Sequence, residues 1–477
     1  MCKYQDCGGF PRLLNTKSKK LINNIGTFAI GNLGSKLISF ILIPIFTRYM
    51  GAAEFGQVDL ITTTINMLLP VVALSIADAV FRFVMDRNSD KVSVFTNGIS
   101  FTILMILISG LSYPILLALH VSYTKYILIY LYFGLVQSLM QNFIRGIGYV
   151  KLFAINGLIS SITLAGVGVI RIVLQHGGVI GYLDALIFSN VVSIIILGIV
   201  ARIWKFYSFR SLDKRMLYTM LRYSTPLIPN AFLWFFTNDA SRFFIVGMIG
   251  LTANGLYAVA TKVPTVINIF YTVFSQAWQI AAVEEYEENR NGRFFSNVFN
   301  TNAGLSLVLI GGIIVVLKPM MRIFVATSYF SAWEIVPALL LASFFSNLSG
   351  FLGTIYLATK QTIGIMKTTV LGMIVNVILN CILIPLFGLQ GAGIGAAAGF
   401  ALVALVRLKD VRKFVVLKVS WAPLSASLTL IIFMTFMQFV FSKQELILYI
   451  ELFISEFILI IINVRFLLKL RNQKMIE

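Results

Sequence analysis

Residues 24–82 read NIGTFAIGNLGSKLISFILIPIFTRYMGAAEFGQVDLITTTINMLLPVVALSIADAVFR. An apolar run, 25–46, is followed by a polar turn through Arg48, Gly51, Glu54 and Gly56, and the chain then runs back through Asp59 to Arg82. About 20 apolar residues in a helix cross the ~30 Å hydrocarbon core of a bilayer, so this stretch reads as a transmembrane hairpin. Lys36 stands near the middle of the first run, where a charge costs roughly 2.5–3.5 kcal/mol unless water or a partner receives it. At 3.6 residues per turn Asn32, Ser35, Lys36 and Ser39 share one side of the first helix, and Asp59, Thr62, Thr63 and Asn66 share one side of the second. Polar stripes on membrane helices face a bundle interior or a wet cavity, and the chain is therefore expected to enclose a hydrated passage.

The composition agrees. The 477 residues are 58% hydrophobic and 12% charged, with a mean hydropathy of +0.89, which excludes an ordinary soluble domain. The hydropathy pattern predicts an all-α polytopic membrane protein of about 14 helices, near 22–46, 57–83, 95–119, 125–146, 153–174, 180–204, 223–249, 254–283, 297–323, 330–358, 366–388, 391–408, 421–441 and 446–468. The net charge of +19 would suggest nucleic acid in a soluble chain. Here the basic residues sort by position. Arg48, Lys125, Arg171, Lys318, Arg322 and Lys443 fall at outer ends, Lys36, Arg242 and Lys262 fall within spans, and the rest collect on inner segments. That asymmetry satisfies the positive-inside rule, predicts two cytoplasmic termini and removes the nucleic-acid reading. Cys2, Cys7 and Cys381 form no CxxC pair, and His120 and His176 stand apart, so neither a disulfide, a metal site nor a cofactor is expected. The first twenty residues are polar and basic, without the apolar core of a secretory signal.

An internal repeat organises the rest. Gly51-x4-Gly56 recurs as Gly250-x4-Gly255, Asn32 falls opposite Asn230, the loop 148–151 matches 358–360 ending in Lys360, and Gly177-Gly178-x-x-Gly181 matches Gly388-x-x-Gly391-x-Gly393, all at an offset of about 200 residues. Six spans per copy leave the copies in the same orientation, so two pseudo-symmetric six-helix lobes are expected with a site between them. The expected organisation is a cytoplasmic tail (1–21), an N-lobe (22–204), a linker (205–222), a C-lobe (223–418), and a final part (419–477) holding helices 13 and 14 and a cytoplasmic tail. In the linker, Phe206, Phe209, Leu212, Met216 and Met220 interleave with Arg210, Lys214 and Arg215 in the pattern of an interfacial helix that attracts membrane lipids. Further polar stripes occur on helix 8 (Thr261, Thr265, Asn268, Thr272, with Lys262 beside them), helix 7 (Asn230, Thr237, Ser241), helix 10 (Ser343, Ser346, Asn347) and helix 4 (Gln137, Gln141, Arg145). Such side chains line passages and also glue membrane helices together. Pro44, Pro70, Pro264 and Pro337 sit within spans as candidate kinks.

The turn 48–57, RYMGAAEFGQ, preceded by Gly31-Asn32-x-Gly34-Ser35-Lys36, resembles the polysaccharide-exporter branch of the multidrug/oligosaccharidyl-lipid/polysaccharide flippase superfamily, and the likeness extends over the whole chain. The resemblance implies a bacterial plasma-membrane flippase that moves a polyprenyl-diphosphate-linked oligosaccharide from the inner to the outer leaflet by alternating access. It also implies a polysaccharide polymerase and a chain-length regulator as neighbours, a cationic cleft, and two extra helices that cradle the lipid tail, as in the related lipid II flippase. Diphosphate needs cations, which act strongly in a low-dielectric cleft. Lys36 and Lys262 are accordingly the leading substrate-binding candidates, with Arg82, Arg242, Asn32, Asn230 and Asn268 beside them. Asp239 and Arg242, three apart on helix 7, also form a natural ion pair, as do Asp78 and Arg82 towards the inner end of helix 2. An interior-negative potential favours outward movement of an anion by about 2.3 kcal/mol per charge per 100 mV, so no counter-ion is demanded. If a proton or sodium ion travels as well, Asp78 and Asp239 are its candidate carriers.

A flippase for another lipid-linked cell-wall precursor shares this physics, and a drug/cation antiporter of the same superfamily would favour an acidic, aromatic cleft instead. A membrane enzyme would need a sizeable outer loop or a nucleophile–base pair, and the sequence offers neither.

Overall fold

The computed structural model describes residues 34–86, 89–288, 292–359, 361–441 and 444–473. The amino-terminal tail with Cys2 and Cys7, and Lys360 and Lys443, lie outside the described residues. The described chain is helical throughout, with no strand among the described residues. Twelve helices are long and apolar enough to cross a membrane. The two remaining expected spans are accounted for: the first is described only over 34–49 (α1), and the seventh is broken into Leu227–Asn238 (α10) and Ser241–Met248 (α11), each too short to span by itself.

Two compact units divide the chain, Met1–Met50 with Ile61–Phe232, and Gly51–Leu60 with Leu233–Glu477. The division falls inside Ala52–Val72 (α2). In the first unit α2 ends at a break, where Leu74 and Ser75 take positive φ values of 49° and 52° and Ile76–Val84 (α3) continues. The Ser75 N–H reaches the Pro70 carbonyl, five residues back, at 2.7 Å, a widened turn that ends the helix there. Pro44, by contrast, sits in unbroken helix, while Pro264 and Pro337 stand in the first turns of Lys262–Glu288 (α13) and Val336–Ala358 (α15), where a missing N–H costs little.

Lys91–Gly110 (α4) is capped by Asp90, whose carboxylate accepts the Val92 N–H at 2.9 Å. It packs with Thr124–Gly146 (α6), and Val150–Gly168 (α7) pairs with Gly178–Ala201 (α8). The segment after α8 is clasped by two side chains of α4. Thr96 Oγ1 accepts the Ser208 N–H at 3.1 Å, and Asn97 donates to the Ser211 carbonyl and accepts from the Asp213 N–H, both at 3.2 Å. Phe206 meets the Phe143 ring from the same side. The chain then enters Lys214–Ser224 (α9), with Met220 buried and Phe209 and Tyr218 on the surface.

The second unit repeats this device. In Gly292–Phe324 (α14), Ser296 Oγ accepts the Lys418 N–H at 2.8 Å, while Asn300 donates to the Lys418 carbonyl and accepts from the Ser420 N–H, both at 2.9 Å. In each unit, one helix uses a hydroxyl and an amide to hold a loop whose main-chain polar groups would otherwise lack partners. Trp421–Val440 (α18) and Glu445–Gln473 (α19) then pack onto α14. Asn463 and Glu456 fill the space left by Gly304 and Gly311, the Gln438 amide donates to the Ile314 carbonyl, and Lys318 is buried, donating to the Gln438 carbonyl at 2.6 Å beneath the Trp333 ring. Lys318, counted by sequence at an outer helix end, is therefore an internal strut.

The repeated glycine motif has a direct structural meaning. The start of α2 and the start of Leu251–Ala260 (α12) touch backbone to backbone. A Cβ on Gly56 would overlap the Leu251 carbonyl oxygen and stand 2.6 Å from the Gly255 nitrogen, and one on Gly255 would overlap the Ala52 carbonyl. Neither backbone can yield, so only glycine fits at both places. Gly255→Ala is expected to lower the thermal stability of the purified protein in detergent by at least ~3 kcal/mol. Gly166→Ala, with open space around it, is expected to be neutral or slightly stabilising. Equal melting temperatures for wild type and Gly255→Ala would remove the crossing as a determinant of the fold.

Candidate functional site

The glycine crossing places the first polar groups. One turn beyond Gly56, Asp59 faces α11, where Arg242 Nε donates to its Oδ2 at 2.7 Å. Arg242 also donates through Nη1 to Asp239 Oδ1 at 2.6 Å. Asn254, beside Gly255, donates to the Gly56 carbonyl at 2.7 Å and to Asp59 Oδ2 at 3.3 Å, and the Tyr257 ring lies 5.7 Å from the guanidinium carbon. The guanidinium thus bridges two carboxylates in a pocket of α2, α11 and α12.

The two carboxylates differ in setting. The Asp59 and Arg242 side chains are 12% and 11% exposed, but Asp239 is 41% exposed. The Asp59 contact is therefore the buried anchor, strong because little water competes for it. Asp239 faces a cavity of about 180 Å³, and its share of Arg242 is open to exchange. Asp239, Arg242 and Asn268 line that cavity together with Thr261, Ser343 and Ser346, so members of the polar stripes read on helices 8 and 10 meet the charged pair of helix 7 here. Lys262, half-buried at the start of α13, lies within electrostatic reach of Asp59 and Arg242. Formal charges on Asp59, Asp239, Arg242 and Lys262 cancel, so the centre of the second unit is balanced and not simply cationic.

The other candidates are placed separately. Lys36 is exposed on α1 in the first unit. Asp78 and Arg82 are exposed on α3. Arg145 lies within electrostatic reach of Asp78. Arg145 itself packs 4.0 Å over the Phe81 ring and donates to Asn142 Oδ1. Asn32 and the side chain of Asn230 lie outside the described residues.

Several groups escaped the sequence reading. Asp59 was one member of a stripe and became the anchor only through a partner 183 residues away. Arg407, counted with an inner loop, is buried near the end of Leu389–Val411 (α17). It donates to Thr368 at 2.9 Å, to the Ser349 carbonyl at 2.8 Å and to Thr369 at 3.1 Å. Its place after the apolar run 391–406 was the available signal. Asn376 and Asn380, also buried, hydrogen-bond to each other, and Asn376 reaches the Thr237 carbonyl at 3.5 Å.

A model of the polysaccharide biosynthesis protein family matches residues 21–280. A protein of the Lsg locus of Haemophilus influenzae is 21% identical over 274 residues, which span 54% of this chain and 65% of that relative. Among solved structures, the lipid II flippase MurJ in an inward closed conformation superposes with a TM-score of 0.70 at 16% identity, covering 92% of this chain and 99% of that one. A mutant of the Vibrio cholerae MATE transporter VcmN gives 0.58 at 15% identity, covering 84% and 97%. An inward-facing MATE family transporter of the MOP superfamily gives 0.60 at 14%, covering 82% and 93%. The fold is thus shared with the lipid II flippase and with the MATE transporters.

If Arg242 is the centre of the buried cluster, Arg242→Met should destabilise the protein by about 3–5 kcal/mol, because two carboxylates lose their cation. The triple variant Asp59→Asn, Asp239→Asn, Arg242→Met should recover most of that loss. Thermal unfolding in detergent reads both, and a triple variant no more stable than the single one would contradict the arrangement.

Proposed function

We propose, from the premise that this chain belongs to the polysaccharide biosynthesis protein family, that it is a flippase for a lipid-linked oligosaccharide. The cargo is a polyprenyl-diphosphate-linked repeat unit of capsule, exopolysaccharide or O-antigen type, moved from the inner to the outer leaflet of the bacterial plasma membrane. The observation that carries this reading is Arg242, held from behind by buried Asp59 and from the cavity side by half-exposed Asp239. A diphosphate entering the cavity takes the place of Asp239 on the guanidinium, while Asp59 keeps the side chain aimed. The swap exchanges one anion for another on the guanidinium, and the displaced Asp239, 41% exposed, turns to solvent rather than into low dielectric. Lys262, within electrostatic reach of Asp59 and Arg242, adds a second cation nearby, and Asn268, Ser343 and Ser346 of the cavity lining offer hydrogen bonds to sugar or phosphate oxygens. Lys36 and Arg82, the candidate cations of the first unit, are assigned to the same cargo from their charge alone.

Displaced Asp239 is free to take a proton or a metal cation, which makes it the stronger coupling candidate of the two carboxylates named from sequence; Asp78 is the other. Both termini are assigned to the cytoplasm by the distribution of lysine and arginine. A polymerase and a chain-length regulator then receive the product outside. A drug/cation antiporter is the second reading. It draws on the two carboxylates at Arg242 and on the MATE-like fold, but leaves the family match without a role.

Export of surface polysaccharide by cells carrying the chain as their sole exporter tests this. Arg242→Ala and the double variant Lys36→Ala, Lys262→Ala, each confirmed present in the membrane, should lose at least tenfold of export, a deficit of about 1.4 kcal/mol or more. Lys262→Arg, which keeps the charge, should retain most of it. Wild-type export by the double lysine variant would dismiss the diphosphate site.

A further inference from the structure

Helix α19 carries an acidic residue where a bilayer gives charge the least support. Glu445 at its start pairs with Arg322 of α14, both side chains about half exposed, and Glu456 stands eleven residues further on. At 1.5 Å per residue that is about 16 Å along the helix, half of the ~30 Å hydrocarbon core. We propose that Glu456 is a proton-binding site, its carboxyl held as the neutral acid in the seam between α14 and α19. This proton is distinct from one carried at the Arg242 cavity.

Glycine makes the seat. A Cβ on Gly311 would overlap Glu456 Oε2 and stand 2.8 Å from Leu459 Cδ2, so the carboxyl occupies the place that a side chain would take. Oε2 is enclosed with no hydrogen-bond partner among the described residues. The surface it meets is the backbone of α14, where the Gly311 and Gly312 N–H groups are committed to the helix. Helix carbonyls keep a second lone pair, so the seat offers acceptors and no free donor. A carboxylate, which can only accept, gains nothing there. The neutral acid can donate its O–H.

The helices that α19 packs on, α14 and α18, bring no cation to hold the ionised form. α18 has no charged or titratable residue, and α14 has none between Arg293 and Lys318. Lys318 lies seven residues, about 10 Å, beyond Gly311 and donates to the Gln438 carbonyl. On α19 itself, Tyr449 and Glu445 with its partner Arg322 lie about two turns or more before Glu456, and the next basic residue, Arg465, comes nine after it. Glu451 sits on another side of α19, accepts from Ser455 Oγ at 2.9 Å, and adds only repulsion. A carboxyl at this depth without a cation takes a proton in preference to a charge.

Infrared spectra of the full chain in phospholipid nanodiscs test this directly. Wild type minus Glu456→Gln at neutral pH should show the carbonyl band of one neutral carboxylic acid and no matching carboxylate bands. The same subtraction in a Glu451→Gln background should keep that band. Denaturant unfolding in mild detergent gives a second readout. The folded chain holds a proton that an exposed glutamate releases, so wild type loses stability as pH rises. Between about pH 5 and about pH 7 it should lose roughly a hundredfold in its folding equilibrium relative to Glu456→Gln. The amide of that variant donates and accepts as the acid does, so the variant is expected to fold. Carboxylate bands in place of the acid band, a stability ratio that stays constant with pH, or failure of Glu456→Gln to fold would each overturn the assignment.

Discussion

Two glycines in contact set the geometry from which the functional centre follows. Gly56 and Gly255 let α2 and α12 start at backbone contact, a separation that any side chain would prevent. At that distance Asn254 reaches across to the Gly56 carbonyl, and Asp59, one turn on, meets Arg242. The carboxylate is fixed by main-chain packing, and the guanidinium is fixed by the carboxylate. Asp239 completes the coordination from the cavity. Close backbone approach through small residues is the usual way membrane helices gain packing energy when water gives no hydrophobic drive. In this chain it also positions charge.

The same economy governs the other buried polar groups. Arg407 spreads its donors over two threonine hydroxyls and a backbone carbonyl, and Lys318 uses a carbonyl and an indole face. The paired amides Asn376 and Asn380 satisfy each other in part. In hydrocarbon an unmatched group costs several kcal/mol, so partners are recruited from whichever helix lies opposite. The second unit's centre obeys this as a whole, since two carboxylates face two cations. A cavity balanced in this way binds an anion by exchange rather than by net attraction.

Much of the fold was legible because apolar runs of bilayer length leave few alternatives. Helices 3 to 6 and 8 to 14 appear where hydropathy places them, and the second, expected as one span over 57–83, is broken at Leu74 and Ser75. The seventh span read as one helix over 223–249, yet it breaks at Asp239 and Ala240, since mean hydropathy records composition and not hydrogen-bond continuity. Arg407 lies in the last turn of the expected span 391–408 and was counted with the inner basic residues, because hydropathy does not record that a terminal arginine can turn inward to buried acceptors. In the site, the stripes on helices 8 and 10 contained Asn268, Ser343 and Ser346, which line one cavity with the Asp239–Arg242 pair, while the helix 7 stripe of Asn230, Thr237 and Ser241 contributes nothing to that lining. Local periodicity alone did not pick Asp59 as the anchor, because its partner lies far along the chain. The glycine repeat was visible as a pattern, but that its two copies touch is a three-dimensional fact.

The loop clasps carry a consequence for the chemical lifetime of the protein. Asn97 works only as an amide, donating through its nitrogen to Ser211 and accepting through its oxygen at Asp213. It is followed in the chain by Gly98, the neighbour that least hinders the backbone nitrogen from attacking the side-chain carbonyl and expelling ammonia. Inside α4 that nitrogen is committed to the helix and cannot reach, so the folded state shields the group it relies on. Each excursion to an unfolded chain removes that shield. An Asn97 once hydrolysed to aspartate has no donor left for the loop, and ageing in the unfolded state is thereby written irreversibly into molecules that later refold.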